Sequence, residues 1–513
     1  MTRRIAATAA ALWAALLLAG LLLSPDRALF LAFDDTFYYL EIAWRIAAGE
    51  GSTFDGLQPT NGYHPLWMLI CVLLAPIGQQ GIDGVVLLLA LQLVIWTGGT
   101  VALLRAGANP RGAWSGQLAA LLLLANPYAM KLVVNGMETA LVYAIDAALL
   151  AVLVHAGSRL WQAPEQRLRL GVGALLALAF LARTDAGFLS ACVAAWVGLR
   201  SLPQGPRATL RNLIPLCLPP ALALLAFLSI NQLLFGQMMQ VSGELKRTTP
   251  SPTEWVLVVL LLAGAAALVL RPAPPRQGAL WARLDPTRPF AAFLLVHLAW
   301  YLGFQEYPRQ WYFAPQLAWL ALLLTGALPA LAARAASEDP QRPRRAAALA
   351  MGPVLLALTG AMGVGLWRAN SPGFLPARLA DREAARWANA NLPADAVVGT
   401  WDAGVIGWYC DRPVVNLDGV VASHAFLAAL RRQDSAAFLA GLGLSHVINH
   451  HPSAAPGDVA ALREALSTRV GPVPAAAATV LWTTPFTMTA STNGADHGVH
   501  QMATTVLDLG PTR

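Results

Sequence analysis

Long apolar runs separated by short polar passages make up most of the chain. A membrane-crossing helix needs about 20 apolar residues and several of these runs have about 15, so the short ones are expected to be re-entrant or broken where they line a cavity. This pattern predicts a polytopic α-helical membrane protein. The apolar runs lie near residues 8–31, 65–78, 83–104, 114–130, 138–156, 168–182, 186–200, 212–234, 254–271, 289–304, 313–334 and 346–367.

Composition supports this prediction. Of the 513 residues, 57% are hydrophobic and 12% are charged, whereas about 25% are charged in a typical soluble domain. The net charge is +7, but the arginines cluster in short loops between apolar runs. That distribution favours the positive-inside rule of membrane proteins over a nucleic-acid surface.

Basic passages assign the loops to the two sides of the membrane. Arg3 and Arg4 precede the first run, which has no convincing cleavage site, so we expect an uncleaved helix with a cytoplasmic N-terminus. The basic passage at 334–345 predicts that run 346–367 leads outside. If all twelve runs crossed the membrane from a cytoplasmic N-terminus, the last run would instead end in the cytoplasm. Either one run between 65 and 130 does not cross, which gives about 11 helices, or one crossing is missing from the set, which gives about 13.

The character of the chain changes after Phe374. A helix-periodic stretch that begins at Leu375 is followed by three strand-like runs, AVVGT, PVVNL and SHVINH, with helix-like stretches at 422–432 and 456–468. Alternating strands and helices predict a small α/β domain. We therefore divide the chain into a membrane domain, 1–373, and an extracytoplasmic α/β domain, 374–513.

The first external loop, 32–64, is polar, aromatic and acidic. Asp34 and Asp35 lie at the outer end of the first run. A partly desolvated carboxylate there can act as a general base, or the two acids can simply fix a helix end. The residues that follow predict a short amphipathic helix lying on the membrane surface. Its apolar positions are Phe37, Tyr38, Leu40, Ile42, Trp44 and Ile46.

The same loop returns to the membrane at Pro65 and Trp67. We predict a tight turn at Asn61-Gly62, a dipeptide that favours turns. His64 is then either a second titrating group or a cap of the next helix.

Several passages together carry a resemblance to a known family. They are DD at 34–35, AWRIAAGEG at 43–51, NGYHPLW at 61–67, NGMETAL at 135–141, LARTDAGFL at 181–189, FGQMMQVSGELK at 235–246 and RQWYF at 309–313. They resemble the GT-C superfamily of integral membrane glycosyltransferases, in particular the bacterial arabinofuranosyltransferase-like and mannosyltransferase-like proteins. The resemblance covers nearly the whole membrane portion, but the passage before SGELK lacks the proline of the family version. It is specific for the superfamily and not for the substrate.

The resemblance implies an inverting hexosyl or pentosyl transfer from a polyprenyl-phosphate sugar to an acceptor hydroxyl. Transfer would take place at the external face of the cytoplasmic (inner) membrane, and the acceptor would be a glycan, a lipid or a protein. Carried over by position, Asp34 is the general base and Asp35 its helper or alternate. Some members of the superfamily use a divalent metal, which is therefore possible here, although no further acid cluster in the sequence demands one.

A lipid-linked phosphate donor needs cations at its site. Lys246 and Arg247, external by the predicted topology, are the first candidates for this phosphate-binding role, and Arg309 is the next. The alternative is that these long side chains only reach the membrane interface.

Five further residues have two interpretations each. Arg183 and Asp185 lie between two short apolar runs, where they either pair with each other or contact substrate. Glu138 is either an acid at a helix N-terminus or a contact to a sugar hydroxyl. Trp311 and Tyr312 belong to an interface belt or stack on a sugar ring.

Two other functions compete with glycosyl transfer. A transporter or flippase of a lipid-linked glycan would also need many helices and a basic pocket for the lipid phosphate, but charges in transporters lie near the bilayer midplane. Here they fall at the external ends of the predicted helices. The third function is that of a non-catalytic membrane subunit, which the intact acidic pair argues against.

Overall fold

The computed structural model of the chain describes residues 29, 31–78, 83–107, 126–162, 165–271, 285–305, 309–322, 375–452, 479–489 and 499–508. Nearly all of run 8–31, run 346–367 and the helix-like stretch 456–468 lie outside the described residues. Runs 114–130 and 313–334 lie partly outside them. The boundary between 373 and 374 therefore stays a prediction.

Apolar helices form most of the described membrane portion, as the hydrophobic runs predicted. Five of them are long and apolar enough to cross a membrane, namely Gly84–Leu103, Thr139–Ala156, Thr184–Gln204, Pro206–Phe235 and Pro252–Leu270. The helices are α1 (Asp34–Ala48), α2 (Pro65–Gly78), α3 (Gly84–Gly107), α4 (Pro127–Val133), α5 (Thr139–Ala156), α6 (Arg159–Gln162), α7 (Gln166–Ala182), α8 (Gly187–Ser201), α9 (Pro206–Phe235), α10 (Val241–Leu245), α11 (Pro252–Leu270) and α12 (Arg288–Phe304).

The described residues on either side of helix α2, Thr60 and Gly84, both lie against the C-terminal domain. Just before it, the Thr60 hydroxyl donates to the carbonyl of Ala422 at 3.0 Å. Just after it, Gly84 packs beside the Trp408 side chain. This placement favours the topology in which one run between 65 and 130 fails to cross.

One face of α2 is exposed and apolar. Leu69, Leu73 and Ile77, spaced four residues apart, are 54%, 68% and 45% exposed. Residues four apart lie on one side of a helix, so these three form a single stripe. Such a stripe on a helix that does not cross is typical of a segment lying in the membrane interface.

Helix α1 lies where the sequence predicted a helix, but not in the predicted environment. Phe37 and Ile42 are fully buried within the protein core, and Tyr38 and Leu40 are nearly so. The prediction that these side chains face the bilayer is therefore wrong. The reason is that α2, α3 and the C-terminal domain cover α1, and an amphipathic pattern does not distinguish lipid from protein as the apolar partner.

The C-terminal domain is a small α/β unit, which confirms the predicted fold class. Its five-stranded sheet has the order β2-β1-β3-β5-β4, with β1 parallel to β2 and β3 and β5 antiparallel to β3 and β4. The elements are α13 (Leu375–Asn391), β1 (Val397–Thr400), α14 (Gly404–Tyr409), β2 (Val414–Asn416), α15 (His424–Arg432), α16 (Ser435–Gly441), β3 (Leu444–Pro452), β4 (Thr479–Thr489) and β5 (Val499–Asp508).

The three predicted strands are present as β1, β2 and β3, but β4 and β5 were not predicted. Strand β4 contains Pro485, and proline argues against a central strand because it cannot donate to the ladder. The observed order resolves this conflict, since β4 lies at the edge of the sheet.

The first external loop and the C-terminal domain are fitted closely at Gly62. A Cβ atom at this position would lie 2.2 Å from the carbonyl oxygen of Val420. Gly62 does not have a positive φ, and the backbone at Asn61-Gly62 forms no hydrogen-bonded turn, so the predicted tight turn is wrong. Glycine is required here because two backbones approach each other.

We expect Gly62→Ala to loosen this junction. The added methyl group would overlap a backbone carbonyl that has no side-chain freedom to move away, and overpacking of this kind costs about 1–3 kcal/mol. Thermal unfolding of the purified protein in detergent should show a lower midpoint for Gly62→Ala. Gly441→Ala is the matched control, because a Cβ there meets nothing within 4 Å. Equal midpoints for the two variants would contradict the fit.

Candidate active site

A cavity of about 480 Å³, counted to its open mouth, lies where the first external loop meets the C-terminal domain. Its walls come from α1, the residues just before α2, the start of α5, the segment around α10, the passage at 311–312 and the C-terminal domain. The lining residues are Asp35, Tyr38, Tyr39, Ile42, Gly62, Tyr63, His64, Met137, Glu138, Ser242, Lys246, Trp311, Tyr312, Val420 and Val421.

The NGMETAL passage is held against α1 by hydrogen bonds to one carbonyl. The Thr36 hydroxyl and the Phe33 backbone N–H both donate to the carbonyl of Asn135, at 2.6 and 3.0 Å. Gly136 has a φ of +90°, and a Cβ there would lie 2.1 Å from the Thr36 side chain. This close contact brings Glu138 to the cavity beside α1.

Asp35 and Lys246 carry opposite charges in the same cavity. Burial raises the pKa of Asp35, and the nearby Lys246 ammonium partly opposes that rise. Burial lowers the pKa of Lys246, but Tyr312 and the Asp35 carboxylate outweigh it, so the net pKa is raised and the ammonium is kept. The cavity therefore holds a partly desolvated carboxylate near a fixed cation, which can accept a proton beside a bound anion.

The Tyr312 hydroxyl orients Lys246, and the buried Arg183 packs on the Tyr312 ring. The Lys246 Nζ atom donates to the Tyr312 hydroxyl at 3.3 Å. The Arg183 guanidinium lies over the Tyr312 ring, 4.7 Å from its centroid. Tyr312 therefore lies between two cations and holds its hydroxyl towards Lys246.

Arg183 and Asp185 pair with each other behind the cavity, which is one of their two predicted interpretations. Their Nη2 and Oδ2 atoms are 3.1 Å apart, and Arg183 also pairs with Glu138 at 2.8 Å. Tyr301 donates to Asp185 at 2.5 Å. Arg183 is only 4% exposed, so its guanidinium is committed to protein partners. Neither Arg183 nor Asp185 lines the cavity.

Glu138 and His64 also line the cavity. Glu138 is the N-cap residue of α5, as the helix-end interpretation expected, and its Oε2 atom accepts from the Tyr39 hydroxyl at 3.1 Å. His64 Nε2 lies 3.6 Å from Glu138 Oε1. Burial lowers the pKa of His64, which favours the neutral imidazole, and the Glu138 carboxylate partly opposes this. Because α2 begins at Pro65, His64 also immediately precedes that helix.

Asp34 does not line the cavity and instead joins α1 to the C-terminal domain. Its Oδ2 and Oδ1 atoms accept from the backbone N–H groups of Gly404 and Val405, at 2.8 and 3.0 Å. Burial raises the pKa of Asp34 to about 7, and the Asp402 carboxylate adds to this rise. Both carboxylate oxygens are thus already used at the first turn of α14.

The other two predicted cations lie outside the cavity. Arg247 is exposed, and its backbone pairs with Gln305 in an isolated bridge. Arg309 is also exposed, and its guanidinium lies 5.9 Å from the centroid of the Trp311 ring. Arg309 still acts on the site, because its charge opposes the burial-induced rise in the pKa of Asp35.

Some lining residues were not predicted. Tyr38 was assigned to the membrane interface, Tyr39 was given no role, and Val420 and Val421 lie in the C-terminal domain, for which no role was predicted. An available signal was the run of aromatic residues directly after the acidic pair. Among the residues that the structure describes, no group of three or more His, Cys, Asp or Glu side chains could hold a metal ion.

One protein-family model matches most of the C-terminal domain. A family model described as a domain of unknown function, DUF8728, matches residues 375–493. No curated protein sequence matches the chain.

Comparison with solved structures identifies the fold. The structure is similar to the crystal structure of ArnT from Cupriavidus metallidurans bound to undecaprenyl phosphate, with a TM-score of 0.55 and 14% sequence identity over 96% of this chain and 98% of ArnT. It is also similar to the Archaeoglobus fulgidus oligosaccharyltransferase tethered with an acceptor peptide, with a TM-score of 0.49 and 12% identity over 86% of this chain and 67% of that chain. The likeness to ArnT shows that the chain has a GT-C-like fold, as its polar passages predicted.

Proposed function

We propose that this chain is an integral membrane glycosyltransferase that moves a sugar from a polyprenyl-phosphate donor to an acceptor hydroxyl. One observation carries the proposal, namely that Asp35 and Lys246 line one cavity and interact electrostatically. A base for the acceptor and a cation for the donor phosphate are the two groups such a transfer needs. ArnT, which has a similar fold, was crystallised with a lipid-linked phosphate.

In the proposed reaction, the acceptor oxygen attacks the anomeric carbon as the bond between that carbon and the phosphate oxygen breaks. Asp35 takes the hydroxyl proton. The polyprenyl phosphate leaves with the bonding electrons and gains a negative charge, which the Lys246 ammonium stabilises. Attack on the face opposite the leaving group inverts the configuration of the sugar. Trp311 lines the cavity and offers an aromatic surface to the sugar, whereas the Arg183 guanidinium already lies over the Tyr312 ring.

The proposal moves the base from Asp34, the first choice from the sequence, to Asp35. Asp34 is instead a positioning residue. Its two hydrogen bonds to α14 fix the rotation of α1. Successive residues on a helix point about 100° apart, so this anchor leaves Asp35 free to face the cavity.

We place the transfer on the external face of the cytoplasmic membrane. Arginines gather at the end of the bundle remote from the cavity, where Arg200 and Arg288 both donate to the carbonyl of Arg271 at 3.0 Å. Basic residues at helix ends favour the cytoplasmic side. The cavity and the C-terminal domain would then lie outside.

The rate of transfer should depend on pH through Asp35. The base is active only when ionised, and burial raises its pKa, so kcat/KM should rise with pH along a limb that lies above the ordinary carboxylate value of about 4. A pH profile of the initial transfer rate measures this limb. Asp34→Asn, which removes the other carboxyl of the pair, should keep the limb. A wild-type rate that stays constant down to about pH 4 would contradict the assignment.

The proposal is tested by transfer in proteoliposomes. The purified chain is reconstituted and given a panel of radiolabelled polyprenyl-phosphate hexoses and pentoses together with alkyl glycoside acceptors. Appearance of label in the glycoside with release of polyprenyl phosphate supports the proposal. Movement of the intact donor between leaflets without transfer would instead support the transporter alternative.

A further inference from the structure

The C-terminal domain reaches the cavity through one short loop, residues 416–423. Val420 and Val421 in this loop line the cavity. On one side, the Asn416 side chain donates to the Tyr38 hydroxyl at 3.0 Å. On the other side, the Thr60 hydroxyl donates to the carbonyl of Ala422 at 3.0 Å. The loop is therefore clamped to the first external loop at both ends and forms a fixed wall.

Asp418 in this loop is partly exposed and contacts two residues that line the cavity. Its Oδ1 atom accepts from the Val420 backbone N–H at 2.9 Å, and its Oδ2 atom lies 3.5 Å from the Tyr38 hydroxyl. Burial raises the pKa of Asp418 to about 6, the Asp35 carboxylate adds to the rise, and Lys246 opposes it. Asp418 therefore interacts electrostatically with both Asp35 and Lys246, the two charged groups of the proposed reaction.

The hydrogen bonds of Tyr38 orient its hydroxyl towards Asp418. A phenolic oxygen accepts up to two hydrogen bonds and donates one. The Tyr38 oxygen already accepts from the Asn416 side chain and from the Ala403 backbone N–H, both at 3.0 Å. Its own proton is therefore left for Asp418.

Asp418 keeps capacity for a further partner. An ionised carboxylate has about four lone-pair sites. One Asp418 oxygen accepts a hydrogen bond from the Val420 backbone N–H, and the other has only the 3.5 Å contact with the Tyr38 hydroxyl. Asp34 differs, since each of its oxygens accepts a backbone N–H within 3.0 Å.

We propose that Asp418 binds a second hydroxyl of the acceptor, so that the acceptor is a carbohydrate and the C-terminal domain selects it. This inference rests on the proposed function. One sugar hydroxyl meets Asp35 and loses its proton, while another hydroxyl of the same ring donates to Asp418. Val420 and Val421 pack against the apolar C–H face of the ring. The two carboxylates come from different domains, so the acceptor site exists only when the domains are docked.

This arrangement discriminates against acceptors with a single hydroxyl. A simple alcohol can donate its one hydroxyl to Asp35. It offers no second hydroxyl to Asp418, so Asp418 would lose its hydrogen bonds to water and gain none. A site built to bind a substrate hydroxyl strongly rejects analogues that lack it, because its own polar group is left unpaired.

The test compares octyl β-glucoside with 1-octanol, which share an alkyl chain but differ in their number of hydroxyls. Transfer kinetics in proteoliposomes and calorimetric binding without donor are measured for the wild type, Asp418→Asn and Asp411→Asn. Asp411 is an exposed acid of the same domain and carries the same change of charge. We expect Asp418→Asn to raise the KM and Kd for the glucoside about 10- to 100-fold and to leave the KM for the donor and the octanol values unchanged. Asp411→Asn should match the wild type.

The outcomes separate this inference from the proposed function. Transfer with equal glucoside affinity in the wild type and Asp418→Asn overturns the role of Asp418 alone. Absence of transfer, with the difference in glucoside binding still present, overturns glycosyl transfer but supports the carbohydrate site. A rise in the KM for the donor would assign Asp418 to the donor side and overturn the inference. Glucoside that binds the wild type no better than octanol would also overturn it.

A second variant distinguishes a loss of acceptor binding from a loss of folding in Asp418→Asn. Asp418→Glu keeps the charge and lengthens the side chain by one methylene. Its KM for the glucoside should lie between those of the wild type and Asp418→Asn, with an unchanged unfolding midpoint. A purely structural role predicts instead that the midpoint falls and that the KM values for donor and acceptor change together.

Discussion

Asp35→Asn should lower kcat for glycosyl transfer about 10²- to 10⁴-fold, the range that a general base typically contributes. The amide keeps the size of the side chain and cannot take the acceptor proton. Donor affinity should be retained, because the proposed contact with the donor phosphate is made by Lys246 and not by Asp35. The measurement is single-turnover transfer in proteoliposomes, with donor binding followed separately by filtration of labelled donor.

Asp34→Asn is the matched control, since it makes the same change one residue earlier. An asparagine oxygen can still accept one of the two N–H groups at Gly404 and Val405, so part of the anchor remains. Its effect on kcat should be smaller than that of Asp35→Asn, and its effect on thermal stability larger. If Asp34→Asn abolished transfer and Asp35→Asn did not, the two roles would be reversed and the proposed base would be wrong.

Lys246→Met should lower kcat/KM for the donor about 10²- to 10³-fold, as removal of one electrostatic stabiliser commonly does. Methionine keeps the aliphatic length and removes the ammonium that balances the leaving phosphate. The change also removes the charge that opposes the rise in the pKa of Asp35. The acid limb of the residual activity should therefore move to higher pH, a shift that loss of packing would not produce.

Arg247→Met is the control for this variant. Arg247 is the next residue along the chain, carries the same charge, and does not line the cavity. Its kcat/KM and pH profile should match those of the wild type. Equal losses for the two variants would indicate that only the net charge of this external surface attracts the donor, and the specific role of Lys246 would be rejected.

The sequence predicted the fold class and singled out six of the fifteen residues that line the cavity. Polar passages far apart in the chain, at 61–67, 135–141, 235–246 and 309–313, each place at least one side chain in its lining. They could be recognised because polar and aromatic residues at the ends of apolar runs stand out against a membrane background.

Three features could not be derived from the sequence. The orientation of Asp34 and Asp35 depends on the rotation of α1, which is set by hydrogen bonds to Gly404 and Val405, 370 and 371 residues away. The burial of α1 depends on the same domain docking. Strands β4 and β5 pair with each other over a long register, and the proline in β4 hides its strand character because it is tolerated only at an edge.

The anchor between Asp34 and α14 also has a consequence for the order of synthesis. Chains are made from the N-terminus at about 5–20 residues per second, so the 370 residues that separate Asp34 from Gly404 take roughly 20–75 s to appear. During that interval the acidic pair and the aromatic side chains of α1 lack their final covering. The cavity is therefore completed only when α14 and the loop 416–423 have emerged and docked. A chain released before α14 is made contains the polar passages at 61–67, 135–141, 235–246 and 309–313 but lacks the part of the cavity wall formed by Val420 and Val421.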